Sequence, residues 1–409
     1  MSTLLQATQT ARQAGIFLRP DEVLDPWVSV HVIGPDAASF LHSQTTNDVN
    51  GLELGAGHMG ARTTRTGHLL SLFSCHRREE SAYDLVLPLS QQQVLYDALE
   101  SMHFSDDLTL STPSASAAVL QGPNAANILA GLGPQWGEVP WDELEECAVR
   151  QMGETYVVRR SLTGDPGFLL WSNQETLWAD IADSVSQEGG LLGAEANEAL
   201  ASLEIEAGWP KVGPDTIQKR LLPETGLEGQ TVSYTKGCYL GQEVIARVRT
   251  YGSLPRALRV LVFDVQRKGL EYTLAQIPEP GEDVVLADGS KAGIFGSRAV
   301  SPTTEKPIAF AFLKKAHRTP GHELTIWGLR GPMKATVLVS PLYTSADRDS
   351  RVAHLYDRAI RIFAEGNEAA AIELLEEALR LDPTFADGYE VMGVLYGRQG
   401  KYHEAIDFF

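Results

Sequence analysis

The sequence predicts an α+β protein that consists of two α/β modules, a small β-barrel and an α-helical tail. In the first half, a strand, a Gly-Pro-Asp/Asn-Ala turn and a helix occur twice. Beyond Pro255, short β-type segments alternate with Gly, Pro and Asp, which is typical of a barrel. Residues 351–409 have a helical repeat pattern instead. The predicted domains are 1–115, 116–253, 254–345 and 346–409.

The first module opens with residues 28–33, whose alternating apolar and polar side chains predict a β-strand. The Gly-Pro-Asp turn at 34–36 predicts the start of a helix over 37–45. A second strand is predicted over 83–87 and a polar-faced helix over 91–102. These elements form the first α/β module.

The second module repeats this pattern with a predicted strand over 117–120, followed by Gly-Pro-Asn-Ala and a helix. Residues 156–160 and 168–171 predict a hairpin around a Gly-Asp-Pro-Gly turn. A helix over 194–207 is stopped by Gly208-Trp209-Pro210.

The predicted barrel consists of short strands separated by Gly, Pro and Asp, and it spans about 85 residues. Its strands are Arg259–Phe263, Asp283–Leu286, Ile308–Phe312, Leu324–Trp327 and Ala335–Val339.

The tail repeats at an offset of 34 residues, the period of tetratricopeptide repeats. The matching pairs are Gly366 and Gly400, Ala371 and Ala405, Ile372 and Ile406, and Leu375 and Phe409. Such helix pairs stack because neither helix buries its apolar face alone, and their concave face binds proteins. The second repeat stops at Phe409, so we expect either a clipped array or a tail that docks on a partner or on the body of the protein.

Composition excludes several functional classes. The 409 residues carry a formal charge of −19, which disfavours broad binding to nucleic acid. No run of 18 apolar residues predicts a transmembrane helix, and the N-terminus lacks a secretory signal pattern. The three cysteines have no CxxC spacing, which argues against a disulfide framework and a structural zinc site. We therefore expect a cytoplasmic protein with no metal of its own.

Two groups of arginines leave a local basic patch open as an alternative to ordinary solvated arginines. They are Arg62, Arg65, Arg77 and Arg78, and Arg247, Arg249, Arg256 and Arg259.

The most specific segment is Lys-Gly-Cys-Tyr-Leu-Gly-Gln-Glu at 236–243. It places the Cys238 thiol two residues from the Lys236 amine, and a neighbouring cation favours the reactive thiolate. Lys236 and Arg247 are the predicted sources of that positive field. The thiol is predicted to attack an electrophile, to take part in a redox step or to lend one ligand to a shared iron–sulfur cluster. An inert structural thiol is the alternative.

The residues after the cysteine complete the predicted catalytic set. Gln242 and Glu243 are expected to orient the loop or to contact a ligand. If the following segment is extended, Ile245, Arg247 and Arg249 project one way and form a basic strip beside the thiol.

The octapeptide resembles the signature of the YgfZ-type folate-binding proteins, which are relatives of the aminomethyltransferase of the glycine cleavage system. Shorter matches stand in the same order over about residues 23–343. They are the Gly-Pro-Asp-Ala element at 34–37, Phe40–Val49, Glu206–Pro210 and Leu222-Pro223-Glu224.

This resemblance implies a three-domain ring of the aminomethyltransferase type, with tetrahydrofolate in its central hole. Thr163–Phe168 resembles the segment whose glutamate grips the pterin, with the shorter Asp165 at that position. A hairpin turn is the alternative for this segment. The resemblance implies cofactor contacts from Asp165, Phe168, Tyr239, Gln44 and Thr46.

The sequence departs from the aminomethyltransferases where their paired aspartates stand, because Ser71 and Leu72 occupy those positions. The asparagine that contacts folate in the family falls at Leu87-Pro88. No carboxylate remains there to orient a substrate amine. Glycine-cleavage chemistry is therefore not expected.

The resemblance implies a folate-binding protein that supports the assembly or repair of iron–sulfur enzymes, including those that modify tRNA. Those enzymes are the expected protein partners, beside a partner of the tail. Two alternatives stay open: a folate-dependent aminomethyl- or methyltransferase, and a non-catalytic scaffold that recruits clients through the tail.

Overall fold

A computed structural model describes residues 3–216, 219–251, 254–264 and 274–344. Beyond these it describes 368–381 and 386–398, together with positions 352, 355, 356, 359, 363 and 401. The chain divides into two compact units, Met1–Leu342 and Tyr343–Phe409.

The strands of the larger unit agree with the predicted ones where the sequence has strong alternation, and they include further strands such as 57–63 and 69–79. In chain order they are β1 (Ile16–Leu18), β2 (Trp27–Ile33), β3 (Gly57–Thr63), β4 (Leu69–Glu79), β5 (Ala82–Pro88), β6 (Thr109–Ser111), β7 (Ala118–Gln121), β8 (Val149–Met152), β9 (Thr155–Arg159), β10 (Gly167–Trp171), β11 (Leu191–Leu192), β12 (Arg256–Asp264), β13 (Asp283–Val285), β14 (Lys291–Val300), β15 (Pro307–Lys314), β16 (Glu323–Gly328) and β17 (Gly331–Leu338).

One helix precedes the first strand, and the others lie between strands or in the smaller unit. They are α1 (Thr3–Ala14), α2 (Ala37–Gln44), α3 (Leu89–Glu100), α4 (Ala125–Gly131), α5 (Pro134–Gly137), α6 (Glu175–Gln187), α7 (Gly193–Glu206), α8 (Glu228–Thr231), α9 (Gln242–Tyr251), α10 (Glu368–Leu381) and α11 (Ala386–Arg398), with a 3-10 helix over Leu222–Thr225.

The first sheet is antiparallel, and its strands follow the order β3-β4-β5-β2-β6. Phe40 of α2 and Leu95 of α3 pack with Val30 and Leu85 from the sheet. The apolar residues of β2 face these helices on alternate positions, as the period of two predicts. The predicted first α/β module is thus present.

The second sheet has the order β11-β1-β7-β10-β9-β8 and is covered on both faces. Helices α1 and α7 pack on one face, and α4 and α6 on the other. Strand β1 pairs with β7 and β11. Residues 16–18, which the sequence-based boundaries place in the first module, therefore belong to the second sheet.

The third sheet has the order β13-β14-β15-β12-β17-β16. A bridge between Leu286 and Ile326 brings its two edges together, so this sheet is a nearly closed barrel. Apolar side chains such as Phe263, Phe295 and Val337 fill its interior. The structure confirms the predicted C-terminal barrel.

The smaller unit contains α10 and α11, which bury Ala371, Leu375, Met392 and Leu395 against each other. Of the residues that carry the predicted repeat, Gly366, Gly400, Ala405, Ile406 and Phe409 lie outside the described residues. The tetratricopeptide assignment stays a prediction. None of the helices in the described ranges is long and apolar enough to cross a membrane.

Candidate functional site

A cleft lies between the first sheet and helix α7 within the larger unit. It holds about 980 Å³ of empty space, open solvent included. Ligand sites are mainly apolar with a few polar groups. The lining includes Trp27, Met59, Leu72, Phe73, Pro88 and Gln91 on one side, and Arg160, Leu162, Asn197, Leu200, Glu204 and Trp209 on the other.

Flat side chains form part of the cleft wall. The Arg160 guanidinium lies over the Trp209 ring, 4.1 Å from its centroid, and 6.0 Å from that of Trp27. Arg160 Nη1 also donates a hydrogen bond to the Glu146 carboxylate at 2.9 Å. Arginine stacks well on indole faces because its charge is delocalised over a plane. The wall therefore suits a planar ligand.

Glu204 is the carboxylate that α7 contributes to the cleft. Its side chain is 16% exposed, and its Oε2 lies 3.7 Å from the Lys211 Nζ. Burial raises the pKa of Glu204, while Lys211 and Arg160 act in the opposite direction. The cleft also contains the Gln91 side chain, whose Nε2 donates to the Val212 carbonyl at 2.9 Å and whose Oε1 is buried without a hydrogen bond.

Strand β4 brings no acid to the cleft. Leu72 and Phe73 line it, and Ser71 is fully buried with its hydroxyl unpartnered. Pro88 stands at the end of β5 in the same wall. Leu72, Phe73 and Pro88 thus make this side of the cleft apolar.

The cysteine loop, residues 236–241, is fixed at its start by Lys236. The buried ammonium donates to the carbonyls of His42, Thr45 and Asn47, the last two at 2.7 and 2.8 Å. These carbonyls lie at and beyond the C-terminus of α2, where carbonyl groups lack helix partners. Burial lowers the pKa of Lys236 to about 8. Lys236 therefore anchors the loop to the first module.

The other end of the loop is fixed just as closely. The Tyr239 ring packs in a core with Leu69 and Leu72, and burial raises its pKa to about 12. The Leu240 carbonyl accepts a hydrogen bond from Thr63 Oγ1 at 2.7 Å. Gly241 has a φ of +88°, and a Cβ there would lie 2.6 Å from Thr63 Oγ1. Only glycine fits this approach.

Cys238 lies between these two anchors and is exposed, whereas Cys75 and Cys147 are buried. The segment that follows is the helix α9, so the conditional prediction of an extended basic strip is wrong. Arg247 donates to Glu243 at 2.7 Å across one helical turn, and both side chains are largely exposed. Gln242 is the first residue of this helix. The Arg247 charge is paired with Glu243 on the same helix.

Asp165 does not line the cleft. Its carboxylate is buried and accepts from Arg12 Nη1 at 2.7 Å, while the other end of the same guanidinium binds Glu206 at 2.7 Å. Arg12 is on α1, which the sequence prediction did not include. The predicted pterin contact is thus corrected, because an ion pair within the protein holds this carboxylate.

Phe168 and Thr46 are likewise not brought to the cleft. Phe168 is fully buried in the core on the α4–α6 face of the second sheet, opposite to the α7 face. The buried Thr46 hydroxyl donates to the Thr231 carbonyl and accepts from the Ala61 N–H. The predicted folate contacts are corrected because both side chains are committed to internal packing.

Gln44 is half-buried near the C-terminus of α2. Its Nε2 donates to Ser43 Oγ at 2.9 Å, and its backbone carbonyl accepts from Arg62 Nη1 at 2.9 Å. Arg62 is 2% exposed, so it is neither part of a basic patch nor a solvated arginine. Burial lowers the pKa of Arg62 to about 10.

Sequence reasoning missed Trp27, Arg160, Glu204 and Trp209 as cleft residues. One signal was present for Glu204, since Asn197, Leu200 and Glu204 recur at the spacing of one helix face. Within the described part of the chain, no group of three or more His, Cys, Asp or Glu side chains is arranged to hold a metal.

The fold is that of an aminomethyltransferase. The crystal structure of the glycine cleavage system aminomethyltransferase T from Bartonella henselae superimposes with a TM-score of 0.64. The match covers 83% of this chain and 89% of that chain at 19% identity.

The family follows from the sequence comparison. The GCVT N-terminal domain matches residues 25–236, and the glycine cleavage T-protein C-terminal barrel domain matches residues 266–344. The chain belongs to this family, within the superfamily that also contains the YgfZ proteins.

Similar proteins have two different descriptions. The tRNA-modifying protein YgfZ of Serratia proteamaculans is 30% identical over 65% of this chain and 75% of its own length. The aminomethyltransferases of Streptomyces coelicolor and Staphylococcus carnosus are 28% and 25% identical. They match 77% and 76% of this chain, and 83% and 82% of their own lengths.

Proposed function

We propose that this protein binds tetrahydrofolate in the cleft and supports the assembly or repair of iron–sulfur enzymes, including those that modify tRNA, through the Cys238 loop. The folate part rests on the family and on the cleft, which combines a stacked Arg160–Trp209 wall with a single carboxylate from α7. The thiols, none of them in a disulfide, fit a reducing cytoplasm.

The observation that carries the proposal is the apolar wall from β4. A transferase that handles an aminomethyl group needs a polar group to orient the reacting nitrogen. Here Leu72 and Phe73 line the cleft at that strand, and Ser71 is fully buried. The cleft therefore suits binding of folate without amine transfer.

The loop supplies the second half of the proposal. Lys236 and Tyr239 are buried, whereas Gly237 and Cys238 between them are exposed. A thiol held at the surface by two buried neighbours can meet a group on another protein without unfolding of the loop. In this proposal, Lys236 anchors the loop so that the Cys238 thiol stays at the surface.

The test combines a binding measurement with complementation. Wild-type protein should bind tetrahydrofolate in calorimetry, and Cys238→Ser should bind it equally well. The same variant should fail to restore a strain with a defect in iron–sulfur enzyme maturation. Gly237→Ala is the matched control, because the added methyl lies 4.0 Å from the nearest atom, and this variant should complement. Full complementation by Cys238→Ser would exclude the role of the thiol.

A second candidate is a folate-dependent aminomethyltransferase, which is favoured by the names of the relatives that match more than three quarters of the chain. A single-turnover assay for methylene-tetrahydrofolate formation separates the two functions. Turnover by Cys238→Ser at the wild-type rate would establish the transferase and place its chemistry in the cleft.

A further inference from the structure

We infer that Glu204 is the group that recognises the folate ring, by accepting hydrogen bonds from the paired N–H donors of its 2-amino-4-oxo edge. This inference rests on the proposed function and specifies how the cleft selects its ligand. Glu204 takes the role that sequence resemblance gives to Asp165.

The position of Glu204 on α7 directs it to the cleft. Asn197, Leu200, Ala201 and Glu204 all line the cleft. Asn197, Leu200 and Glu204 are spaced by three and four residues, which places them on one face of α7. The neighbouring Glu206 belongs to another face, where it is fully buried against Arg12. Two acids only two residues apart thus have separate environments.

The other candidate carboxylates already have partners. Asp25 also lines the cleft, but its two oxygens accept from the Ser90 N–H at 3.0 Å and the Ser90 hydroxyl at 2.7 Å. Asp165 is bound by Arg12 and lies outside the cleft lining. Glu204 has only the longer contact of 3.7 Å to Lys211 among the ion pairs of the described residues.

The chemistry of a half-buried carboxylate favours a ligand with two parallel donors. A carboxylate removed from water needs hydrogen bonds to both oxygens, and a planar pair of N–H groups satisfies both at once, as an arginine does. The pyrimidine edge of a pterin presents an amide N–H beside an amino group in this geometry. An edge that replaces either donor by an oxygen would instead repel the carboxylate.

The aromatic wall is tied to the carboxylate through the backbone. The Trp209 N–H donates to the Glu204 carbonyl at 3.0 Å, so the indole follows the end of α7. Arg160 stacks on that indole at 4.1 Å, and its charge also favours the ionised Glu204. A flat surface and an acceptor therefore occur together at one end of the cleft.

The first test is the substitution Glu204→Gln, which preserves size and removes the charge. Hydrogen bonds to charged groups contribute about 1.5–3 kcal/mol, so the Kd for tetrahydrofolate should rise at least about tenfold. Glu198→Gln is the control, since Glu198 is on the same helix but exposed and outside the cleft lining. Equal Kd values for Glu204→Gln and Glu198→Gln would overturn the inference.

The second test changes the ligand and needs no variant, so it decides the case even if Glu204→Gln fails to fold. Pterin carries the 2-amino group, whereas lumazine has an oxygen in its place. Wild-type protein should bind pterin at least about tenfold more tightly, since lumazine loses one donor and gains a repulsive oxygen. Equal affinities for the two pteridines would contradict recognition by a carboxylate.

Failure of the proposed function and failure of the Glu204 assignment give different experimental results. If wild-type protein binds neither tetrahydrofolate nor pterin, the proposed function falls and takes this inference with it. If wild-type protein binds tetrahydrofolate and neither the variant nor lumazine changes the affinity, the folate function stands and Glu204 is not its recognition group.

Discussion

Two largely buried cations of the larger unit, Arg12 and Lys236, hold distant segments together by different means. Arg12 binds two carboxylates, Asp165 and Glu206, each at 2.7 Å. Lys236 donates its hydrogen bonds to backbone carbonyls, those of His42, Thr45 and Asn47. Arg12 is thus paired with charged groups, whereas the charge of Lys236 is stabilised by the dipoles of peptide carbonyls.

The difference shows how environment decides the use of a charged residue. Arg12 keeps two buried acids compensated, so its loss leaves charge uncompensated in the interior. Lys236 donates its hydrogen bonds to uncharged carbonyls, so its loss leaves three polar groups unsatisfied, which costs less. The family resemblance implied a pterin contact for Asp165, and the neighbouring thiol suggested an electrostatic role for Lys236. In the structure, both side chains join segments of the fold.

The largest effect should come from Arg12→Met. Removing the guanidinium leaves Asp165 and Glu206 buried without their cation, which should lower the free energy of unfolding by ~3–5 kcal/mol. Urea denaturation measures the change. Arg19→Met is the control, because Arg19 faces the exposed Glu175 at 3.8 Å and should cost less than about 1 kcal/mol. A small effect of Arg12→Met would remove the contrast between the two cations.

A smaller loss should follow from Lys236→Met. Three carbonyls lose a charged donor, so the free energy of unfolding should fall by about 1.5–3 kcal/mol in the same assay. Lys334→Met, at an exposed position on β17, serves as the matched control and should be close to neutral. If the two lysine variants were equally stable, Lys236 would not anchor the loop.

A further effect is a dependence on pH that distinguishes the two sites. The pKa of Lys236 is lowered to about 8 by burial, below its ordinary value of 10.5. As the pH rises from about 8 to 10.5, the folded state loses this proton before the unfolded state does. The free energy of unfolding therefore rises with pH through this window in the wild type, and this rise is absent in Lys236→Met.

Denaturation at several pH values checks this prediction by difference. The stability deficit of Lys236→Met relative to wild type should grow with pH across the window. The deficit of Arg12→Met should stay constant, because arginine keeps its charge there. A deficit of Lys236→Met that shrinks with pH would reverse the assigned sign.

Local patterns predicted much of the fold. The strand at 27–33, the 155–171 hairpin and the barrel strands carry clear alternation bounded by turn residues. Helix α9 was harder, because the alternation of Ile245, Arg247 and Arg249 obscured the pairing of Glu243 with Arg247, which is a helical spacing. The strand-like alternation of apolar and basic residues was given more weight than the helical spacing of the ion pair.

The candidate site could be predicted only in part, for reasons of distance along the chain. Cys238 is exposed within a compact local motif, whose glycines and flanking residues lie together in sequence. Asp165 is separated from Arg12 by 153 residues, so no local motif shows that its charge is already paired. The cleft joins Trp27 to Trp209 and Glu204 through tertiary packing, which residue spacing does not encode.

The close approach of Gly241 to the turn at Thr63–Gly67 gives the two glycines of the cysteine loop unequal tolerance. A methyl at Gly241 would meet backbone and side-chain atoms at 2.6 Å, and one at Gly67 would meet Val244 at 3.0 Å, whereas Gly237 has open space to 4.0 Å. A sequence pattern used to find related loops can therefore allow any residue at the position before the cysteine. The glycine three residues after it, matched by another at the facing turn, is the pair that such a search should require.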